Sequence, residues 1–198
     1  MAGAPMNPIT SYLTQSRDAV QAAIDDPVFC NTIDAIVVLT ADALGSGRKL
    51  LLAGNGGSAG DAQHIAGEFI GRLNYDRAPT AALALTTDSS VLTGVGNDYG
   101  YERVFERQIL GLGAAGDVFM AISTSGRSPN ILRAIDAARD KGLSVVGLTG
   151  RSGGEMAGRC DLCLHAPSDS TQLIQQIHII AGHIICGLVE ARLFPLPR

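Results

Sequence analysis

An alternation of short apolar runs and helix-length segments constrains this chain more than any other feature. The runs lie at 49–53, 80–85, 117–122, 143–148 and 161–165. Most are separated by stretches long enough for a helix, at 59–73, 101–112, 128–141 and 169–193. The runs are apolar on both faces, as strands buried in a parallel sheet are. Parallel neighbours need a crossover, and a helix supplies it. The expected fold class is therefore α/β, a three-layer αβα sandwich on a five-stranded parallel sheet. Ahead of it, two segments, Ile9 to about Asp25 and Pro27 to about Leu44, carry apolar residues at helical spacing (Phe29, Ile33, Ile36, Val37, Thr40), and Gly45-Ser46-Gly47 closes the second. With no linker, repeat or low-complexity tract, residues 1–198 read as one domain: N-terminal helices over 1–47, then the sandwich and a long C-terminal helix over 48–198.

Hydrophobic residues make up 46% of the chain but aromatic ones only 5%, so Ala, Leu, Ile and Val must build the core. The formal charge of −4 and the scattered Lys and Arg residues argue against a nucleic-acid surface. A small anion needs no net positive charge, because a few backbone N–H groups suffice. The first residues show no basic and apolar leader pattern, and no run reads as a membrane span, so a cytoplasmic protein without membrane partners is expected. Cys160 and Cys163 form a C-x-x-C within an expected strand, where a spacing of three places side chains on opposite faces. They read as small buried hydrophobes.

In an open parallel sheet, ligands sit beyond the carboxyl ends of the strands, where strand order reverses. The loops after the first and third strands therefore matter most. The first is Gly54-Asn55-Gly56-Gly57-Ser58-Ala59-Gly60. Its glycines permit close backbone approach, Ser58 is placed to cap the next helix, and the helix N-terminus favours an anion. Alone, this loop fits a phosphate site, a dinucleotide G-x-G-x-x-A pattern or a plain tight turn equally. The second is Ser123-Thr124-Ser125-Gly126-Arg127-Ser128-Pro129. Four hydroxyls around one glycine, with proline early in a helix, make a phosphate cradle. A dinucleotide site does not need this second loop.

Asp61, His64 and Glu68 follow the first loop at i, i+3 and i+7, one stripe of a helix. His64 and Glu68 can face the same ion, and Asp61 is placed to accept from the other ring N–H of His64. The last helix is apolar nearly all round, so it is buried in the fold or in an oligomer. Gln175 and His183 interrupt it and project roughly 80° apart at about 100° per residue, near enough to converge on one ion, whereas His178 points elsewhere. Nitrogen and oxygen ligands from two helices suit Zn²⁺ or another divalent ion.

Five segments in order resemble the motifs of phosphoheptose isomerases, members of the sugar isomerase (SIS) fold: Ala-Gly-Asn-Gly-Gly-Ser, Asp-Ala-Gln-His-Ile-Ala-Gly-Glu, Val-Gly-Asn-Asp-Tyr-Gly, Ile-Ser-Thr-Ser-Gly-Arg-Ser and Ile-Gln-Gln-Ile-His-Ile-Ile-Ala-Gly-His. The resemblance implies a sedoheptulose 7-phosphate isomerase, the first step of heptose supply for lipopolysaccharide or capsule. It implies contacts to the sugar phosphate from Asn55, Gly56, Gly57, Ser58, Glu68, Asn97, Asp98 and Gln175. Ser123, Thr124, Ser125 and Ser128 would hold the phosphate. It implies one Zn²⁺ per subunit on His64, Glu68, Gln175 and His183, with Glu68 and His183 as the acid–base pair and Asp61 in support. It also implies a homotetramer with sites between subunits, to which Arg72 is a candidate donor. Arg127 stands where such proteins often carry Asn. Two other readings compete. A non-catalytic SIS-fold protein binding sugar phosphates or a replication initiator would not need Glu68 and His183. A nicotinamide enzyme would need an acid such as Asp88 after the second strand.

Overall fold

The computed structural model describes residues 7–196, so the leader reading, which rests partly on residues 1–6, lies outside it. Its elements run α1 (Pro8–Ile24), α2 (Pro27–Gly45), β1 (Leu50–Gly54), α3 (Gly57–Ile70), β2 (Ala82–Ala84), α4 (Ser89–Tyr99), a 3₁₀ turn (Tyr101–Arg103), α5 (Val104–Leu112), β3 (Val118–Ser123), α6 (Pro129–Asp140), β4 (Ser144–Thr149), β5 (Leu162–His165) and α7 (Thr171–Leu193). Both N-terminal helices begin at a proline, whose missing N–H costs nothing there. Asn7 and Asp26 cap them, each side chain accepting a backbone N–H at 2.8 Å, from Ile9 and Val28.

All strands pair in parallel, in the order β2-β1-β3-β4-β5. The order reverses between β1 and β3, so the two glycine- and serine-rich loops leave the sheet side by side. Strand alternation sorts the core into two layers. Leu50 and Leu52 pack with Ile36, Ile65, Phe69, Ile177 and Ile185 from α2, α3 and α7. Leu51 and Ala53 face the other way, towards Phe105, Ile109, Ile131 and Ile135 from α5 and α6.

Several local expectations change. The run at 80–85 gives a three-residue edge strand, and Leu83 is 43% exposed rather than buried on both faces. Residues 89–99 form a helix the apolar pattern did not announce, because none of its residues is buried. Asp88, the candidate ribose acid, is spent as the cap of that helix, accepting from the Val91 N–H at 3.0 Å. The 101–112 segment opens as a 3₁₀ turn before α5. Helices α2 and α7 are long and apolar enough to cross a bilayer, contrary to the expectation that no run is. Each buries one side against the sheet. Cys160 lies just ahead of β5 rather than within it, so it does not share the strand's alternation. Its sulfur turns back to Cys163 over Gly147.

A buried ion pair ties the segment after α3 to α7. The Glu190 carboxylate accepts from the backbone N–H groups of Leu73 (3.0 Å) and Asn74 (2.8 Å) and from Arg77 Nε (3.1 Å). Arg77 in turn donates to the carbonyls of Glu68 and Phe69, both at 2.7 Å. Burial alone would raise the Glu190 pKa, but these donors outweigh it and hold it below 4.5. A carboxylate depressed in the fold contributes stability above its unfolded pKa and loses it as pH falls through the folded value. Glu190→Gln leaves the Arg77 guanidinium buried without a counter-charge. It should cost about 3–5 kcal/mol of stability at neutral pH and flatten the loss of stability below pH 4.5. Urea unfolding of both proteins across that range checks this.

Candidate active site

Both helix N-termini at the strand-order reversal open without a side-chain cap. Gly56, at φ +56°, precedes α3 and has no side chain to offer. Ser58 is buried inside the first turn rather than capping it, which corrects the expectation. Ser128 precedes α6 but makes no capping bond; its hydroxyl lies 3.1 Å from that of Ser123. The first-turn N–H groups of both helices are thus not screened by a capping hydroxyl, which suits an anion. Asn55, Gly56, Gly57, Ser58, Ser123, Thr124, Ser128, Thr171 and Gln175 line one cleft there. Ser125 accepts from the Arg127 N–H at 3.2 Å and lies on an adjoining hollow with the Arg127 and Arg151 side chains.

Two residues of this site escaped the sequence reading. Asn130, on the first turn of α6 and 4% exposed, exchanges two amide hydrogen bonds with Asn55, at 2.8 and 3.0 Å. That pair braces the two loops against each other and leaves Asn55 one side-chain N–H for a ligand. Thr171, the first residue of α7, completes the cleft wall. An asparagine within a helix carries no signal of its own, and neither does a threonine at a helix start.

The polar stripes of α3 and α7 meet as the spacing predicted. His64 Nε2 and His183 Nε2 face each other at 2.8 Å, and Glu68 Oε1 lies 3.3 Å from His64 Nε2. The three ligand atoms all lie within 4.8 Å of one another. The rings stand edge to face, 79° apart, so the nitrogens rather than the ring faces converge. Gln175 lies two turns up α7, its amide packed on Gly57, where a Cβ would come 2.5 Å from Nε2. It therefore stands on the cleft wall, at the start of α3. His178 is fully buried and hydrogen-bonded through Nε2 to the Thr149 carbonyl at 3.1 Å, out of the site as expected.

Two expectations fare differently. Asp61 does not accept a hydrogen bond from His64: its Oδ2 is buried without a partner among the described residues. Desolvation raises its pKa, and the nearby His64 opposes this only in part. Asn97 and Asp98 sit on exposed α4, the Asn97 amide donating to Asp98 at 2.8 Å, and neither lines the cleft of the single chain. Arg72 is exposed in the segment after α3.

The donor set of two imidazoles and a carboxylate fits a divalent ion of the Zn²⁺ type. Their approach depends on Gly182, where a Cβ would meet Ile65 at 2.8 Å. Gly182→Ala should part α3 and α7, cost about 1–3 kcal/mol through overpacking, and lower bound divalent metal per chain. Calorimetric unfolding and elemental analysis of the purified variant test the two effects separately.

A family model, the SIS domain, matches residues 11–150. A phosphoheptose isomerase of Bradyrhizobium is 53% identical over 185 residues, covering 93% of each chain. One from Aneurinibacillus thermoaerophilus is 49% identical over 186 residues, 94% of each. The solved structure of a phosphoheptose isomerase from Neisseria gonorrhoeae superposes with a TM-score of 0.87 at 39% identity, over 92% of this chain and 97% of that one.

Proposed function

The chain belongs to the SIS domain family, and from that premise we infer that it catalyses the phosphoheptose isomerase reaction, interconverting sedoheptulose 7-phosphate and D-glycero-D-manno-heptose 7-phosphate. The observation that carries this reading is the convergence of His64, Glu68 and His183 two helical turns beyond an anion-binding cleft. At about 1.5 Å per residue, His64 lies roughly 10 Å along α3 from Gly57. That spacing suits a substrate whose phosphate and reacting carbons are at opposite ends of a long chain.

Ser123, Thr124, Ser125 and Ser128, with the open ends of α3 and α6, hold the 7-phosphate. Asn55, Gly56, Gly57 and Gln175 line the path of the sugar. Glu68 takes the proton from carbon 1 and returns it to carbon 2, so that the ketose becomes an aldose through an enediol(ate). His183 moves the proton between the two oxygens, a role an imidazole can serve because its two ring nitrogens can donate and accept. Asp61, next to His64 and without a hydrogen bond, tunes the charge of that end of the site. When bound, a Zn²⁺ held by His64, Glu68, Gln175 and His183 supplies polarisation of the carbonyl. Glu68 serves as ligand and as base, so one role dominates at each stage.

The assembly belongs to the same reading. An apolar groove between α1, α2 and α7, lined by Val20, Ile24, Phe29, Ile180, Ile184 and Leu188, remains open on the single chain. It suits a homotetramer in which α4, carrying Asn97 and Asp98, reaches a neighbour's cleft and Arg72 does likewise. The reaction belongs in the cytoplasm and supplies heptose for a surface glycan such as lipopolysaccharide or capsule.

Glu68→Gln keeps size and hydrogen bonding but removes the base. It should slow isomerisation of sedoheptulose 7-phosphate by about 10²–10⁴-fold while phosphate binding persists. Wild-type turnover in that variant with metal still bound would move the base elsewhere. Ser123→Ala and Ser125→Ala should each weaken binding of the sugar phosphate by roughly 1.5–3 kcal/mol. Competition assays that found sedoheptulose and its 7-phosphate equally tight would remove the cradle.

A further inference from the structure

The C-x-x-C is left unused by this chemistry, yet its two sulfurs are brought together. Gly147 in β4 pairs in register with Cys163 in β5. A Cβ on Gly147 would lie 2.8 Å from Cys160 Sγ, 3.0 Å from Met156 Cε and 3.1 Å from Cys163 Sγ. The missing side chain at 147 therefore makes the space in which the two thiols meet. Both are free and half-buried, so small oxidants reach them.

We propose that Cys160 and Cys163 are a dithiol that a peroxide closes reversibly to a disulfide, and that closure weakens phosphate binding by moving the segment that supports Ser125 and Gly126. The chemistry balances. One thiolate attacks the peroxide and becomes a sulfenic acid, releasing water. The second sulfur displaces a further water and forms the S–S bond. Two protons and two electrons leave the thiols, and the peroxide is reduced to two waters. The adjacent Cys160 thiol lowers the Cys163 thiol pKa against the effect of burial, which makes Cys163 the attacking group and Cys160 the resolving one. Cys160 itself is pushed up, by the adjacent Cys163 first and by burial second.

The mechanical link is also visible. Cys163 is fixed in the sheet, whereas Cys160 ends the irregular segment 150–160. Drawing the two sulfurs together into a covalent bond therefore displaces the segment, not the strand. Upstream in it, the Met156 N–H donates to the Gly126 carbonyl at 3.1 Å. A Cβ at Gly154 would clash with the Ser125 and Gly126 carbonyls, and one at Gly126 would clash with the Gly153 carbonyl, so the segment presses directly on the loop. Gly126, at φ +62°, is the turn of the phosphate loop. The effect on substrate rests on the phosphate reading above; disulfide formation does not.

The test uses full-length, metal-loaded enzyme, treated with hydrogen peroxide and then with dithiothreitol. Peptide mapping should find a 160–163 disulfide. KM for sedoheptulose 7-phosphate should rise severalfold with kcat and metal content little changed, and reductant should reverse both. Cys160→Ser should keep its reduced KM under the same treatment, while Cys30→Ser, which removes a thiol outside this pair, should respond as wild type does. Free thiols at both positions after peroxide has oxidised Cys30 would overturn the proposal. So would a mapped disulfide that leaves KM unchanged in an enzyme whose reduced form prefers the phosphorylated sugar.

Discussion

The close approach of α3 and α7 is the contact on which the site depends. At Gly182 the two helices meet with no side chain between them except Ile65, which is fully buried. His64 is one residue from Ile65 and His183 one from Gly182, so the backbone contact sets the separation of the two imidazoles. The buried Glu190–Arg77 pair clamps the same helices further along, beyond Glu68. Such a pair is costly to desolvate and adds little net stability over a well-packed apolar contact. What it contributes here is a fixed register between α3 and α7.

The second organising element is the strand-order reversal. Because β1 and β3 are neighbours, two loops that are far apart in sequence emerge together, each leading into a helix whose N-terminus lacks a side-chain cap. The reciprocal Asn55–Asn130 amide pair holds them at a fixed gap. The cleft and the imidazole pair are then joined by α3 itself, a rigid spacer running from one to the other. In the proposed reaction, phosphate recognition and chemistry at carbon 1 would be separated along one helix.

Much of this was legible in the sequence because periodicity carries it. The succession of apolar runs and helix-length segments pointed to the sheet, and the i, i+4 spacing of His64 and Glu68 pointed to their common face. The partners supplied by α7 were legible because polar residues are conspicuous in an apolar helix. What was hidden follows from physics that pattern does not encode. Helix α4 buries no residue fully in the single chain, with only Leu92 and Val95 half-buried against the core, so its apolar signature is weak. Cys160 lies two residues before pairing begins, outside strand geometry, which reverses the inferred direction of its sulfur. Asn130 works through a contact 75 positions away in sequence. Asp61 was given a partner by spacing, yet the fold leaves its Oδ2 without one.

The central claim is that one divalent ion is held between α3 and α7 at the end of the substrate path, and anomalous diffraction at the zinc edge from zinc-loaded crystals tests it most directly. The account predicts one peak per chain, within coordination distance of His64 Nε2, Glu68 and His183 Nε2, with the direct His64–His183 contact opened to admit it. A peak elsewhere, with His64 and His183 still hydrogen-bonded to each other, would contradict it.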